Sequence, residues 1–256
     1  MIQSIAAYRF TRVADPHALA AQLRTWAETG ALRGTVLVAE EGLNLFLAGE
    51  TSAIDEFLAN LRSDTRFASM DVKASFSAGM PFSRLKVRVK PEIISFRLGH
   101  AFPGTQRAPT VSPTELSRWL EQGTDDRGRP LVLLDTRNRE EVAYGTFTDA
   151  LTLPIDNFTE LPDAVLARRE AFADATVVSF CTGGIRCEKA ALWMHEQGMD
   201  NVLQLDGGIL GYFEATGGKG YTGGCFVFDD RIALDSTLAP ISRSEEAESA
   251  IGMVVR

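Results

Sequence analysis

The segment from Val177 to Ala190 constrains the fold of this chain more than any other segment. It reads Val-Val-Ser-Phe-Cys-Thr-Gly-Gly-Ile-Arg-Cys-Glu-Lys-Ala, so an apolar run ends at Cys181, two glycines follow, and a helical pattern begins at Arg186. This order predicts a buried strand, a tight loop and a helix. Ligands of parallel sheets bind at the carboxyl ends of the strands, which is where Cys181 falls.

The loop has the composition of an anion-binding nest that carries a reactive thiol. Gly183 and Gly184 allow successive backbone N–H groups to point inward, and the helix start adds partial positive charge. We therefore expect a lowered pKa and a nucleophilic thiolate at Cys181. A buried structural cysteine before a glycine turn is the alternative, but it would not need the two glycines and Arg186. The predicted active-site loop consists of six residues, which are Cys181, Thr182, Gly183, Gly184, Ile185 and Arg186.

This six-residue loop resembles the sulfur-handling loop of rhodanese domains, in which the cysteine carries a persulfide. Phosphatase loops of related sequence are one residue longer, which makes room for a phosphate. The resemblance covers about residues 112 to 217, and Leu131–Leu134 followed by Asp135-Thr136-Arg137 matches a neighbouring strand and its polar end. Asp135, Arg137 and Arg186 are candidates to support the loop. Strand-end hydrogen bonding and helix capping are alternative roles for them.

Composition and pattern divide the 256 residues into two domains and an extension. Residues 1–98 read as strand, helix, strand, strand, helix, strand, which predicts a ferredoxin/acylphosphatase-like α+β domain with a last strand at Leu85–Phe96 and a cap at Thr51. Residues 99–111 are expected to be a linker. Residues 112–217 predict a rhodanese-like, doubly wound parallel α/β domain. Residues 218–256 form an extension in which we expect order only at 225–232 and mobility at 242–250.

Positive charge is concentrated in one part of an acidic chain. The net charge is −8, which argues against indiscriminate nucleic-acid binding, yet residues 71–107 contain seven Lys or Arg and two Asp or Glu. Lys86, Arg88 and Lys90 alternate with apolar residues, so an extended strand would place these three cations on one face. They predict a local site for a polyanion, with a solvated sheet edge as the alternative. Arg84 and Phe82 are secondary candidates for stacking on RNA bases.

Four further segments extend the resemblance to nearly the whole chain, from about Ala7 to Ala233. They are Arg33-Gly34-Thr35, Glu41-Gly42-Leu43-Asn44, Met80-Pro81-Phe82 and Gly224-Cys225-Phe226-Val227-Phe228-Asp229. Together with the Cys181 loop they resemble the rhodanese-related family that hydroxylates the wobble uridine of tRNA. This resemblance implies oxygen-dependent formation of 5-hydroxyuridine at position 34, with Cys181 required, tRNA as partner and molecular oxygen as co-substrate. We expect no other cofactor.

The family pattern is not complete in this chain. Leu45-Phe46 stands where many relatives have Gly-Thr, which puts any substrate contact of that turn in doubt. Many relatives also carry a Cys-x-x-Cys pair in the tail, which this chain lacks. Cys225 alone cannot supply tetrahedral zinc ligation, so we assign no metal.

Two other function classes remain open in the sequence. One is a sulfurtransferase that carries sulfane sulfur from a small donor as a Cys181 persulfide, and the other is a noncatalytic rhodanese module. The intact loop argues against the second, and the basic N-terminal domain has no evident purpose in the first. The register of Cys187 indicates burial, with a resolving thiol as the alternative, and Cys225 is expected to be structural. Three cysteines and the absence of a signal or membrane segment predict a cytoplasmic protein with no membrane or DNA partner.

Overall fold

The computed structural model describes residues 1–98 and 107–241. Up to Leu98 the elements follow the predicted order, and the two strands expected after the second helix are both present. They are β1 (Ile2–Phe10), α1 (Pro16–Thr29), β2 (Arg33–Ala39), β3 (Gly42–Gly49), α2 (Thr51–Arg62), β4 (Val72–Ser77) and β5 (Leu85–Val89).

The N-terminal sheet has the strand order β4-β1-β3-β2-β5. Its first four strands are antiparallel, as in a ferredoxin-like sandwich, and β5 joins the edge parallel to β2. Side chains alternate along the strands, so Ile5, Val36 and Leu45 enter the core beneath α1 and α2. The opposite face carries Tyr8 and Phe46 and is turned toward the second domain.

The second domain is built on a parallel sheet of order β6-β11-β10-β7-β9. Cys181 follows β10, the central strand, and α6 begins four residues later. The elements are β6 (Thr110–Val111), α3 (Pro113–Gln122), β7 (Leu131–Asp135), α4 (Arg139–Val142), β8 (Gly145–Phe147), β9 (Leu151–Thr152), α5 (Leu161–Leu166), β10 (Thr176–Phe180), α6 (Ile185–Glu196), β11 (Val202–Leu205) and α7 (Gly208–Thr216), with 3-10 turns at Phe158–Glu160 and Arg169–Phe172.

Several predicted boundaries differ from the structure. The strand expected over Leu85–Phe96 ends at Val89, since Pro91 lacks the N–H group that would continue the ladder. The cap expected at Thr51 is wrong, because Glu50 is the N-cap and makes no side-chain cap bond. The expected linker at 99–111 contains β6 at its end, and its residues 99–106 lie outside the described part of the chain.

The C-terminal extension is ordered over a longer stretch than 225–232. Strand β12 (Tyr221–Gly223) pairs with β8, and β13 (Cys225–Phe226) pairs with β14 (Ala233–Leu234). Cys225, Val227 and Leu234 are buried in the core of the rhodanese-like domain. The segment 242–250, which we expect to be mobile, lies outside the described residues.

A buried lysine joins the two domains. Lys189 of α6 is almost fully buried, and its Nζ lies 2.8 Å from Glu41 Oε2 and 3.1 Å from Glu92 Oε1 of the N-terminal domain. The same nitrogen donates to the carbonyl oxygen of Ile94 at 3.0 Å. These contacts fix helix α6, and therefore the Cys181 loop, relative to the N-terminal sheet. Within residues 1–98 and 107–241, no helix is long and apolar enough to span a bilayer.

Candidate active site

The Cys181 loop has the nest geometry that its glycines predict. The backbone N–H of Gly184 donates to Cys181 Sγ at 3.1 Å. Gly184 has φ +99°, and a Cβ there would lie 2.9 Å from the Tyr8 hydroxyl, so conformation and space both require glycine. Cys181 itself is fully buried at the floor of a cleft between the domains.

The surroundings of Cys181 favour its thiolate form. Burial acts to raise its pKa, but the Cys187 thiol, the Arg186 charge and the N–H groups of Arg186 and Gly184 outweigh burial and lower the pKa to about 6. Burial, together with the neighbouring Cys181, raises the pKa of Cys187 well above that of a free thiol. Cys187 is therefore a buried, neutral partner of the thiolate and is also 3.6 Å from Thr136 Oγ1.

Arg186 forms a buried ion pair with Glu141. Its Nη1 and Nη2 atoms lie 2.6 and 2.7 Å from the two carboxylate oxygens. Burial acts to raise the pKa of Glu141, but the bonds and charge of Arg186 lower it. One oxygen of Glu141 also accepts the backbone N–H of Asn138 at 3.1 Å. The arginine thus ties the loop to the start of α4 and supplies positive charge beside Cys181.

Asp135 and Arg137 are fully buried and paired with each other at 2.6 Å. Arg137 also donates to the carbonyl oxygen of Gly145 at 2.6 Å, and Thr146 Oγ1 donates to Asp135 at 2.8 Å. Both side chains therefore hold β8 beside the carboxyl end of β7. These hydrogen bonds join the end of β7 to β8.

A polar cluster from both domains adjoins the loop. The Tyr8 hydroxyl donates to Glu188 Oε1 at 3.0 Å, and Arg107 Nη2 donates to the same oxygen at 2.7 Å. Burial and then the charge of Glu188 raise the pKa of Tyr8, so its hydroxyl stays protonated. Tyr8 is the side chain through which the N-terminal sheet comes closest to Gly184.

The cleft that contains Cys181 has a volume of about 1380 Å³. Its walls come from the open face of the N-terminal sheet, the Cys181 loop and the C-terminal extension. The lining includes cationic, aromatic and thiol groups, among them Lys73, Phe82, Lys90, Arg107, Cys181, Phe228 and Arg231. Such a space can admit a nucleotide with its phosphates.

The basic strand is placed on the cleft side of the N-terminal sheet. Arg88 is paired with Leu37 in parallel register, so the two side chains share a face, and Leu37 lines the cleft. Lys90 lines the cleft as well. Lys86 lies near the start of β5, and Arg84 immediately precedes this strand. The apolar partners of these cations pack against the helices, as the alternation predicts.

Sequence reasoning missed Tyr8, Glu141, Glu188 and the hairpin of the extension. The Tyr8–Glu188 contact joins residues 180 positions apart, which no local pattern reveals. Glu141 carried a usable signal, because an acidic residue three positions after Asn138 is a capping-box pattern. Among the described residues, no group of three or more His, Cys, Asp or Glu could hold a metal ion.

Comparison with known proteins defines the class to which this fold and site belong. Residues 2–93 match the UPF0176 acylphosphatase-like domain, and residues 112–215 match the rhodanese-like domain. The chain is therefore a two-domain protein in which an acylphosphatase-like domain precedes a rhodanese-like domain, and the predicted fold class is confirmed.

Full-length relatives identify the family within that class. The tRNA uridine(34) hydroxylase of Xanthomonas campestris pv. campestris (strain 8004) is 65% identical over 94% of this chain and 95% of its own length. The proteins of the same name from Xanthomonas oryzae pv. oryzae (strain PXO99A) and Xylella fastidiosa (strain M23) are 63% and 59% identical, over 96% and 94% of this chain and 97% and 94% of theirs. The chain belongs to the tRNA uridine(34) hydroxylase family, which confirms the resemblance seen in the sequence.

Proposed function

We propose that this protein hydroxylates carbon 5 of the wobble uridine of tRNA, with molecular oxygen as co-substrate. The observation that carries the proposal is a buried cysteine, whose Sγ accepts the Gly184 N–H, at the floor of a cleft that is lined in part by cationic and aromatic side chains. The relatives that match nearly the whole chain are named tRNA uridine(34) hydroxylase, which supports uridine 34 of tRNA as the site of hydroxylation. Because tRNA is the substrate, we place the protein in the cytoplasm.

Cys181 is the nucleophile in this proposal. A thiolate that adds to carbon 6 of a uracil ring raises the electron density at carbon 5, the atom that receives one oxygen atom of O2. The other oxygen atom leaves as water with two electrons and two protons from an external thiol reductant. Loss of the proton at carbon 5 then breaks the bond between carbon 6 and sulfur and restores the uracil ring. The low pKa of Cys181 keeps the thiolate populated at neutral pH, and Arg186 with the Gly184 N–H stabilises its charge. Glu141 holds Arg186 in place by its two short contacts.

The tRNA backbone is proposed to lie along the basic strand. Arg88 and Lys90 are exposed on the cleft side, Lys86 is half-buried beside them, and Arg84 is exposed at the approach to the strand. Cations in a row can follow a phosphate backbone, and each contact releases counterions. Phe82, at the start of this segment, lines the cleft and offers an aromatic face to a splayed base.

Nucleoside analysis tests the proposal directly. Bulk tRNA from a strain lacking the gene should contain no 5-hydroxyuridine made by this enzyme. The intact chain should restore the nucleoside in air and fail to do so without oxygen, and Cys181→Ser should fail in both conditions. A Cys225→Ser variant is the matched control, because that thiol has a pKa raised by burial to about 12 and should not be needed.

The sulfurtransferase alternative makes a different prediction for the same strains. If Cys181 only carries sulfane sulfur from a small donor as a persulfide, the wild-type chain restores no 5-hydroxyuridine. The purified protein would then transfer sulfur from thiosulfate to cyanide at a rate that Cys181→Ser abolishes. That pair of results would replace the hydroxylase proposal.

A further inference from the structure

The hairpin formed by β13 and β14 is anchored beside the Cys181 loop at its base. Cys225 is fully buried in the core of the rhodanese-like domain, where burial raises its pKa and the nearby Thr182 of the loop acts to lower it. Phe226 packs against Tyr144 with ring centroids 5.2 Å apart. The hairpin closes where Val227 N–H donates to the carbonyl oxygen of Ile232 at 2.8 Å. Its position is thus fixed with respect to the reactive thiol.

The tip of the hairpin is anchored to the other domain. Arg231 Nη1 donates to Ser75 Oγ of β4 at 2.6 Å, and Asp230 N–H donates to the carbonyl oxygen of Pro81 at 3.0 Å. Arg231 is in turn held by Asp229 at 2.6 Å, and both side chains of this pair are almost fully buried. The hairpin therefore spans from the loop to the N-terminal sheet and closes one side of the cleft.

One aromatic side chain at this tip is left exposed. Phe228 is 61% exposed and lines the cleft, while its neighbours Val227 and Cys225 are buried. Its ring is perpendicular to that of Phe226, with centroids 5.0 Å apart at 88°, so this contact sets its orientation while most of the side chain remains exposed. A fixed, exposed aromatic ring beside cations is the arrangement with which proteins bind single-stranded RNA.

We propose that Phe228 stacks on a nucleobase of the RNA single strand whose uridine reaches Cys181. The hairpin would then form the base-stacking wall of the cleft, whereas strand β5 would bind the phosphates. The inference rests on the proposed function, because it takes the anticodon loop of tRNA as the ligand. It adds a binding residue from the C-terminal extension, outside both of the matched domains.

A tryptophan at position 228 makes the stacking measurable without catalysis. In Phe228→Trp, an anticodon stem-loop with uridine at the wobble position should quench the fluorescence of the new side chain, since stacked bases quench indole emission. Trp26, Trp119 and Trp193 do not line the cleft and contribute a constant background. Phe76→Trp is the matched control, because Phe76 is 47% exposed in the N-terminal domain but does not line the cleft. Equal quenching in both variants would overturn the proposal.

Truncation of the ring tests the same contact in the otherwise unchanged protein. Phe228→Ala should weaken binding of the stem-loop about tenfold, and Phe228→Tyr should restore it, because stacking on one aromatic ring has that magnitude. The alkylation rate of Cys181 should stay the same in both variants, which shows that the loop is intact. Wild-type binding by Phe228→Ala with an unaltered alkylation rate would overturn the stacking role.

The two proposals fail in different ways. If the stem-loop quenches Phe228→Trp but the wild-type chain forms no 5-hydroxyuridine in cells, the hydroxylase assignment fails and the stacking wall is supported. If the wild-type chain forms 5-hydroxyuridine and Phe228→Ala forms it with the same apparent affinity for tRNA, the stacking wall is wrong and the hydroxylase assignment is supported.

Discussion

At the scale of single residues, the reactivity of Cys181 depends on a neighbour whose own thiol stays neutral. Cys187 and Cys181 differ although both are fully buried and both lie near the Arg186 charge. Only Cys181 accepts the backbone N–H of Gly184, and its pKa is lowered, whereas burial and the neighbouring Cys181 raise the pKa of Cys187. The Cys187 thiol lies beside Cys181 and acts as a donor that lowers the pKa of Cys181. A neutral donor of this kind stabilises the charged form of its acceptor.

Removing that donor should therefore raise the pKa of Cys181. We expect Cys187→Ala to shift the midpoint of the alkylation rate of Cys181 to a higher pH than the wild-type value of about 6. Mass spectrometry of the peptide that contains Cys181, after iodoacetamide treatment from acid to mildly alkaline pH, measures this. Cys225→Ala is the control and should leave the midpoint unchanged. An unchanged midpoint in Cys187→Ala would show that Arg186 and the backbone alone stabilise the thiolate.

The Arg186–Glu141 pair predicts a large stability effect at a single position. Glu141→Gln leaves the buried guanidinium without a negative partner, which should lower the free energy of unfolding by about 3–5 kcal/mol. Arg139→Ala breaks the exposed pair with Asp156 and should cost far less, because solvent screens that pair. Urea unfolding at neutral pH compares the two variants. Equal losses would mean that burial of the Arg186 pair has no influence on its contribution.

The Arg186–Glu141 pair also determines how the stability of the folded protein changes with pH. The folded state lowers the pKa of Glu141, so the stability that this carboxylate contributes is complete above its unfolded pKa and is lost as pH falls through the folded pKa. The difference in stability between wild type and Glu141→Gln should accordingly be constant near neutral pH and shrink in acid. Unfolding curves recorded from neutral pH down through the acid range test this sign.

At the scale of elements, β5 combines an apolar side that packs against α1 with a cationic side that faces the cleft. The first property follows from the alternation of Leu85, Val87 and Val89 and was predictable, because a strand period of two is a local pattern. The position of β5 at the sheet edge, parallel to β2, was not predictable. Strand pairing between distant segments depends on tertiary packing that a single sequence does not display.

The cationic side of β5 gives a prediction about salt dependence. Replacing Lys86, Arg88 and Lys90 by Glu should weaken tRNA binding and flatten the slope of log affinity against log salt, by roughly 0.7–0.9 for each phosphate that the protein no longer neutralises. Fluorescence anisotropy with labelled tRNA at several salt concentrations measures the slope. The matched control replaces three exposed arginines that do not line the cleft, which are Arg62, Arg127 and Arg168. An unchanged slope in the β5 variant would place the tRNA on another surface.

The strand pairing of the C-terminal extension could not be predicted from the sequence. Gly223 and Gly224 read as turn residues, yet β12 pairs with β8, a strand more than seventy positions earlier in the chain. Gly145 and Gly223 approach so closely that a Cβ at Gly223 would lie 2.4 Å from the Tyr144 carbonyl oxygen. Such close backbone contact explains the glycines, but only once the partner is known. The loop of Cys181, in contrast, was predictable because strand, nest and helix are consecutive in sequence.

At the scale of the whole molecule, the site exists only where the two domains meet. The thiolate, its arginine and its glycines come from the rhodanese-like domain, whereas Tyr8 and the basic strand come from the N-terminal domain. Sequence reasoning could name the loop on one side and the basic strand on the other, but it missed Tyr8 and could not give the distance between the two sides. Lys189 of the rhodanese-like domain joins the two domains, because it is buried against Glu41 and Glu92 of the N-terminal domain.

Loss of the Lys189 contacts should reduce hydroxylation of tRNA while it leaves the reactivity of Cys181 nearly unchanged. Lys189→Met keeps the length and apolar stem of the side chain but leaves two carboxylates facing each other between the domains, at a cost of about 3 kcal/mol in the free energy of unfolding. We expect faster hydrogen exchange over 90–98 and a strong loss of 5-hydroxyuridine in cells. The alkylation rate of Cys181 should change little, because the groups that lower its pKa are local to the loop.

The matched control is Lys219→Met, which removes an exposed pair with Glu121 on the rhodanese-like domain. It should leave exchange, 5-hydroxyuridine and alkylation at wild-type levels. If Lys189→Met also keeps full activity in cells, the N-terminal domain does not need to be held against the loop, and the tRNA site must lie within the rhodanese-like domain and its extension. If Cys181 alkylation slows together with hydroxylation, Lys189 acts on the thiol itself rather than on the position of the domains.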